Sequence, residues 1–132
     1  MNSARKHTRL PLDIDAEIET RDGNIYKGRT NSISFGGMFV VIDPVPDLHV
    51  KENCRCILHL GFGEHTESIK LECRVIHIQE NGIGFQFRTI DFEDYHTFKR
   101  MMVLNSKDPD RLLAELRKHP GLIVENSEVH HE

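Results

Sequence analysis

Arginine, histidine, cysteine and carboxylate are the residue types in this chain that could do chemistry, and their spacing separates them. Nine histidines and three cysteines invite a metal or thiol reading. Yet Cys54 and Cys56 lie on one face of an alternating segment, with His59 and His77 on nearby ones. The ligand spacing of about two to four residues across a turn that zinc sites use is missing. His130 and His131 fall in a solvated tail. No nucleophile elbow, P-loop or zinc-protease helix motif occurs, so no enzyme, metal or cofactor is expected. What remains is Arg5-Lys6-His7-Thr8-Arg9, and further on Ser32-Ile33-Ser34-Phe35-Gly36-Gly37. A guanidinium forks onto phosphate oxygens, so these residues could make a local cationic site despite the chain's negative balance. Taken singly, each segment also has a plainer account, a solvated basic start and an ordinary turn.

The elements that must position these residues are mostly strands. Leu12, Ile14, Ala16 and Ile18 alternate with Asp13, Asp15, Glu17 and Glu19, the period of a half-buried antiparallel strand. Arg21-Asp22-Gly23-Asn24 is a hairpin signal, followed by strands over 25–31 and 38–42, the latter stopped by Pro44 and Pro46. Further strands are predicted at 54–60, closed by a turn at Gly61-Phe62-Gly63, and at 69–78; the Asn81-Gly82 turn leads into a sixth carrying Ile83, Phe85 and Phe87. The period then changes. Phe92, Tyr95, Phe98 and Met102 recur at helical spacing behind Asp91 as N-cap, predicting a helix over 92–105. Asp108 and Pro109 open a second helix bearing Leu112, Leu113 and Leu116, stopped at Pro120-Gly121. The fold class is therefore mainly β, a six-stranded antiparallel barrel with C-terminal α-helices. The expected divisions are a flexible basic arm over 1–10, the barrel over 11–91, the helices over 92–119 and a tail over 120–132, frayed from Asn126.

Composition sets the outer bounds. The 132 residues carry 17 Lys+Arg against 21 Asp+Glu, a formal charge of −4, with 38% apolar residues. That suits one domain with a modest core and argues against bulk nucleic-acid binding through a whole-protein field. No apolar run approaches the roughly 18 to 20 residues that cross a bilayer. Three cysteines cannot all pair, which favours reduced, buried thiols and a cytoplasmic setting.

Arg5 and Arg9, in RxxxR spacing, together with Ser34 and Gly37, the last two fixed positions of (D/N)xSxxG, resemble the PilZ domain family. Gly28, Met38-Phe39-Val40 and Gly82-Ile83-Gly84-Phe85-Gln86-Phe87 fit the same pattern, and the resemblance runs from residue 5 to about 104. It implies a six-stranded barrel that binds the bacterial second messenger cyclic di-GMP through Arg5, Arg9, Ser32, Ser34, Gly36 and Gly37, with Asn31 and Phe35 as further candidates. Ser34 and the Gly36 and Gly37 amides would add neutral donors to the arginines. The chain departs from the pattern at Ser32, where the family has Asp or Asn. A hydroxyl accepts more weakly from guanine N–H groups than a carboxylate or amide. Asn31, one residue earlier, belongs on the opposite strand face unless a bulge rotates it. Phe35 can pack on the barrel or face the ligand.

By the same resemblance, the expected role is a single-domain receptor whose arm orders over the ligand. It would relay that event to a separate effector protein in motility, exopolysaccharide or biofilm control, as a monomer or weak homodimer. The helices over 92–119 are the candidate contact surface, although packing on the barrel accounts for their apolar residues first. The alternative is a degenerate PilZ-like interaction module that has lost the ligand, suggested by Ser32. A single-stranded nucleic-acid binder needs a basic groove with aromatic platforms, and the acidic face over 13–19 opposes it.

Overall fold

The computed structural model describes residues 7–62 and 64–126, leaving out the side chain of Phe62. The alternating segment forms β1 (Asp15–Glu19), with Ala16 and Ile18 buried. It pairs on one side with β2 (Ile25–Ile33) across the Arg21–Asn24 turn, where Gly23 takes a positive φ and its N–H donates to the Thr20 carbonyl. On its other side it pairs with β4 (Asn53–Phe62). Next come β3 (Gly37–Val41), β5 (His65–Gln79) and β6 (Gly82–Asp91). The strands run β3-β2-β1-β4-β5-β6, and β3 pairs with β6 to close a six-stranded antiparallel barrel. Each strand sends alternate apolar residues inward, among them Ile33, Val40, Leu58, Leu71, Val75 and Phe85. The cysteines join this core. Contact with Cys56 and burial push the Cys54 thiol up, and burial pushes Cys56 up, so both stay protonated.

Two helices cover the barrel. Asp91, the last residue of β6, caps α1 (Phe92–Leu104) by accepting from the Glu93 N–H. Phe98, fully buried, meets Phe35 and Phe87 edge to face at 5.5 and 5.6 Å between ring centroids. Asp108 caps α2 (Pro109–Lys118), whose Leu112 and Leu116 are buried. The apolar stripes of both helices are thus largely spent inside the molecule, leaving Phe92 and Leu104 as the exposed apolar residues of α1.

Several details differ from the sequence expectations. The first strand begins at Asp15 rather than Leu12, because Thr30 takes over residues 12–14: its hydroxyl donates to the Leu12 carbonyl and accepts from the Ile14 N–H. Gly61 and Phe62 stay in β4, paired with Thr66 and His65, since the long partner β5 carries the ladder past them. Residues 123–125, expected in the tail, form β7 (Ile123–Glu125) in parallel register with β6, on the edge of β6 that β3 leaves open beyond its last pairing at Gln86. The inner part of the arm packs on the barrel. Leu10 is buried and exchanges two backbone hydrogen bonds with Ile33 at 2.8 and 2.9 Å. Residues 1–6 and 127–132, with the expected roles of Arg5 and the terminal histidines, lie outside the described residues.

Candidate functional site

Strand β2 reaches the site through a bulge. Its register against β3 slips between Thr30 and Ser32, leaving Asn31 as the additional residue. A bulge lets neighbouring side chains share a face, and Asn31 and Ser32 line the same hollow, of about 290 Å³, with Arg9, Phe39 and His77. Arg9 Nη1 donates to Ser32 Oγ at a long 3.4 Å. Phe39 and His77 stack at 5.8 Å with ring planes 23° apart.

The turn from Ser34 to Gly37 is folded onto itself. Ser34 is buried, and its Oγ accepts from the N–H groups of Gly36 and Gly37 at 3.0 and 3.1 Å. The Gly36 carbonyl accepts from the Phe87 N–H at 2.9 Å. The expected neutral donors are therefore committed inward, because a buried turn must satisfy its own polar groups. Phe35 is likewise resolved: it is buried against Phe98 and packs in the core instead of facing a ligand. Gly37 is required for close approach, since a Cβ there would lie 2.2 Å from the Phe85 carbonyl oxygen.

Beside this turn lies a larger hollow of about 580 Å³, lined by His7, Arg9, the Ser34 turn, Ile76, Gln86 and the end of α2 from Lys118 to Gly121. It shares Arg9 and Ile76 with the smaller one. Of the six residues expected to form the site, Arg9, Ser32, Ser34, Gly36 and Gly37 line the two hollows, and Arg5 is outside the described residues. No Asp or Glu is among the described residues lining either, although the chain carries an excess of acids. Cationic walls without carboxylates concentrate an anion locally whatever the net charge.

Sequence reasoning missed His7, Gln86, Lys118 and His119 at the larger hollow and the Phe39–His77 pair at the smaller. For His7 there was a signal, its place inside the RxxxR spacing; the rest arrive from segments distant in sequence. His7 Nε2–H donates to the His119 carbonyl. Thr8 donates twice to Glu115, N–H to Oε1 at 2.7 Å and Oγ1–H to Oε2 at 2.6 Å. Burial pushes the Glu115 carboxyl up, but the two Thr8 hydrogen bonds, with Arg111 and His7 nearby, outweigh it and hold the group below its ordinary value.

Residues 3–103 match the PilZ domain, and the chain belongs to the PilZ domain family. Comparison with curated proteins gives no match. Among solved structures, the Bacillus subtilis inhibitor of motility MotI/DgrA is similar at TM-score 0.64 and 21% identity, over 90% of this chain and 53% of that one. The chain thus spans about half the length of that protein. The PilZ domain of CeSA from a cellulose-synthesizing bacterium is similar at TM-score 0.57 and 19% identity, over 75% and 99% of the two chains. The PilZ domain of Escherichia coli YcgR with c-di-GMP gives TM-score 0.57 and 12% identity, over 89% and 98%.

Proposed function

We propose that the chain is a receptor for cyclic di-GMP that passes its bound state to a separate effector protein in motility or surface behaviour. The observation that carries this reading is the pair of hollows that meet at Arg9 with no carboxylate among the described residues lining them, on a chain of net negative charge. Cyclic di-GMP offers two phosphates and two guanines. An arginine common to both hollows can fork onto one and pair with or stack on the other, and the stacked Phe39–His77 pair offers a flat apolar wall for a base. The YcgR domain carrying c-di-GMP and the motility inhibitor support the same assignment by likeness of fold.

Asn31 takes the part that the family gives to Asp or Asn, a reading supported by the bulge and by its sharing a hollow with Ser32. An amide accepts from guanine N–H groups and donates to O6. Asn31→Ala is therefore expected to weaken binding by about tenfold, the loss of one hydrogen bond of roughly 1.5 kcal/mol, whereas Ser32→Ala changes it by less than about threefold. The reverse order would return the motif to Ser32.

A second reading, a PilZ module without ligand, is favoured by Ser32 and by the inward-turned Gly36 and Gly37 amides. Isothermal titration of cyclic di-GMP at two salt concentrations, with GTP as control, decides between them. The receptor reading expects saturable binding, micromolar or tighter, weakened by salt and absent for GTP. No binding by calorimetry and by a second, optical method establishes the ligand-free module.

A further inference from the structure

Helix α2 lies wholly beyond residues 3–103, the part of the chain that matches the family, yet it reaches the cleft. Glu115 offers one carboxylate oxygen to the backbone and the other to the side chain of Thr8, which fixes the residue immediately before Arg9 in both position and orientation. Just behind α2, Gly121 adopts φ +80°, and a Cβ there would lie 3.2 Å from the His7 ring. A Cβ on Gly36 would lie 2.8 Å from the same ring. The imidazole thus occupies a slot between two glycines, one from the motif turn and one from the end of α2, and its Nε2–H is tied to the His119 carbonyl. Three points of contact hold residues 7 and 8 against α2. Beyond them Lys118 lines the larger hollow and makes no ion pair among the described residues.

We propose that α2 is a working wall of the binding cleft, in which Glu115 latches the arginine arm through Thr8 and Lys118 is a further cation for the phosphates of the ligand. This rests on the receptor reading above. Basic residues in the last turn also favour the helix dipole, but Arg117, which shares that turn, does not line the cleft. The pair provides an internal control.

The test uses the full chain in two arms. In the first, cyclic di-GMP is titrated into the unaltered protein and into Lys118→Gln and Arg117→Gln. Lys118→Gln is expected to weaken binding about three- to tenfold and flatten its salt dependence, with Arg117→Gln unchanged. Equal effects of the two, or none from Lys118, would overturn its role. In the second arm, amide hydrogen exchange is followed in Glu115→Ala and Thr8→Val without ligand. Loss of the latch is expected to speed exchange at the Thr8 amide at least about tenfold in Glu115→Ala. Thr8→Val, which leaves α2 intact, should show a smaller increase, and circular dichroism verifies that both variants are folded. Unchanged exchange in both overturns the latch. If the unaltered protein takes up no cyclic di-GMP, the receptor reading and the Lys118 role fall together, while the exchange arm still decides the latch.

Discussion

Arg9→Ala is expected to lower the affinity for cyclic di-GMP by about a hundredfold while leaving the melting temperature within about 1 °C of the unaltered protein. The argument is geometric. Arg9 is exposed, is one of two residues lining both hollows, and makes a long hydrogen bond to Ser32 at 3.4 Å. Its exposure limits what the folded chain loses, since substitutions at exposed positions fall within roughly 0.5 kcal/mol. In the proposed complex its guanidinium would make charge-assisted hydrogen bonds of roughly 1.5 to 3 kcal/mol each. Two of them amount to about 3 kcal/mol or more, which is about two decades in Kd. Arg9→Lys keeps the charge and loses the planar fork, so it should fall between, near tenfold. Calorimetric titration of the three proteins checks the series. An Arg9→Ala protein that binds as before would remove Arg9 from the site altogether.

Phe98→Ala is expected to produce the largest loss of stability of any single truncation in α1. Phe98 has no exposed surface and touches Phe35 and Phe87 edge to face, so it pegs the helix to the motif turn and to β6 together. Truncating a buried phenylalanine costs about 3 to 5 kcal/mol, including the cavity left behind. Against a total stability of roughly 5 to 15 kcal/mol, that is a large fraction. For a chain of this size it corresponds to a fall in melting temperature on the order of 10–20 °C, read by calorimetry. Phe98→Leu fills most of the volume and should lose less than half as much. Melting of Phe98→Ala at the unaltered temperature would mean that α1 is not part of the cooperative unit.

The barrel was legible in the sequence because its signals are local. Alternation over 12–19 marked the buried face of β1, Gly23 and Asn81-Gly82 marked two hairpins, and Asp91 and Asp108 marked the starts of both helices. Each is a property of a short window that the tertiary structure leaves undisturbed. The site was legible only in outline. The residue types of the motif named its neighbourhood, but the bulge at Asn31 depends on how β2 registers against β3, which no window of β2 contains. Ser34 and Phe35 turned inward because the turn is covered by α1, some 60 residues later in the chain. His7 and Thr8 dock because of α2, and β7 forms because β6 offers it an edge. What escaped sequence reasoning is what depends on contacts between distant segments.

Those distant contacts bear on how the molecule is made. Thr8 and Glu115 are 107 positions apart, and His7 and His119 are 112 apart. A chain emerging from its N-terminus can close β1 to β6 into a barrel before α2 has been synthesised, because every strand pairing of that barrel lies before residue 92. The wall that α2 gives the cleft is then added to a barrel already closed. By the same connectivity, α2 contributes no pairing to the barrel, so one wall of the cleft stands outside the closed sheet.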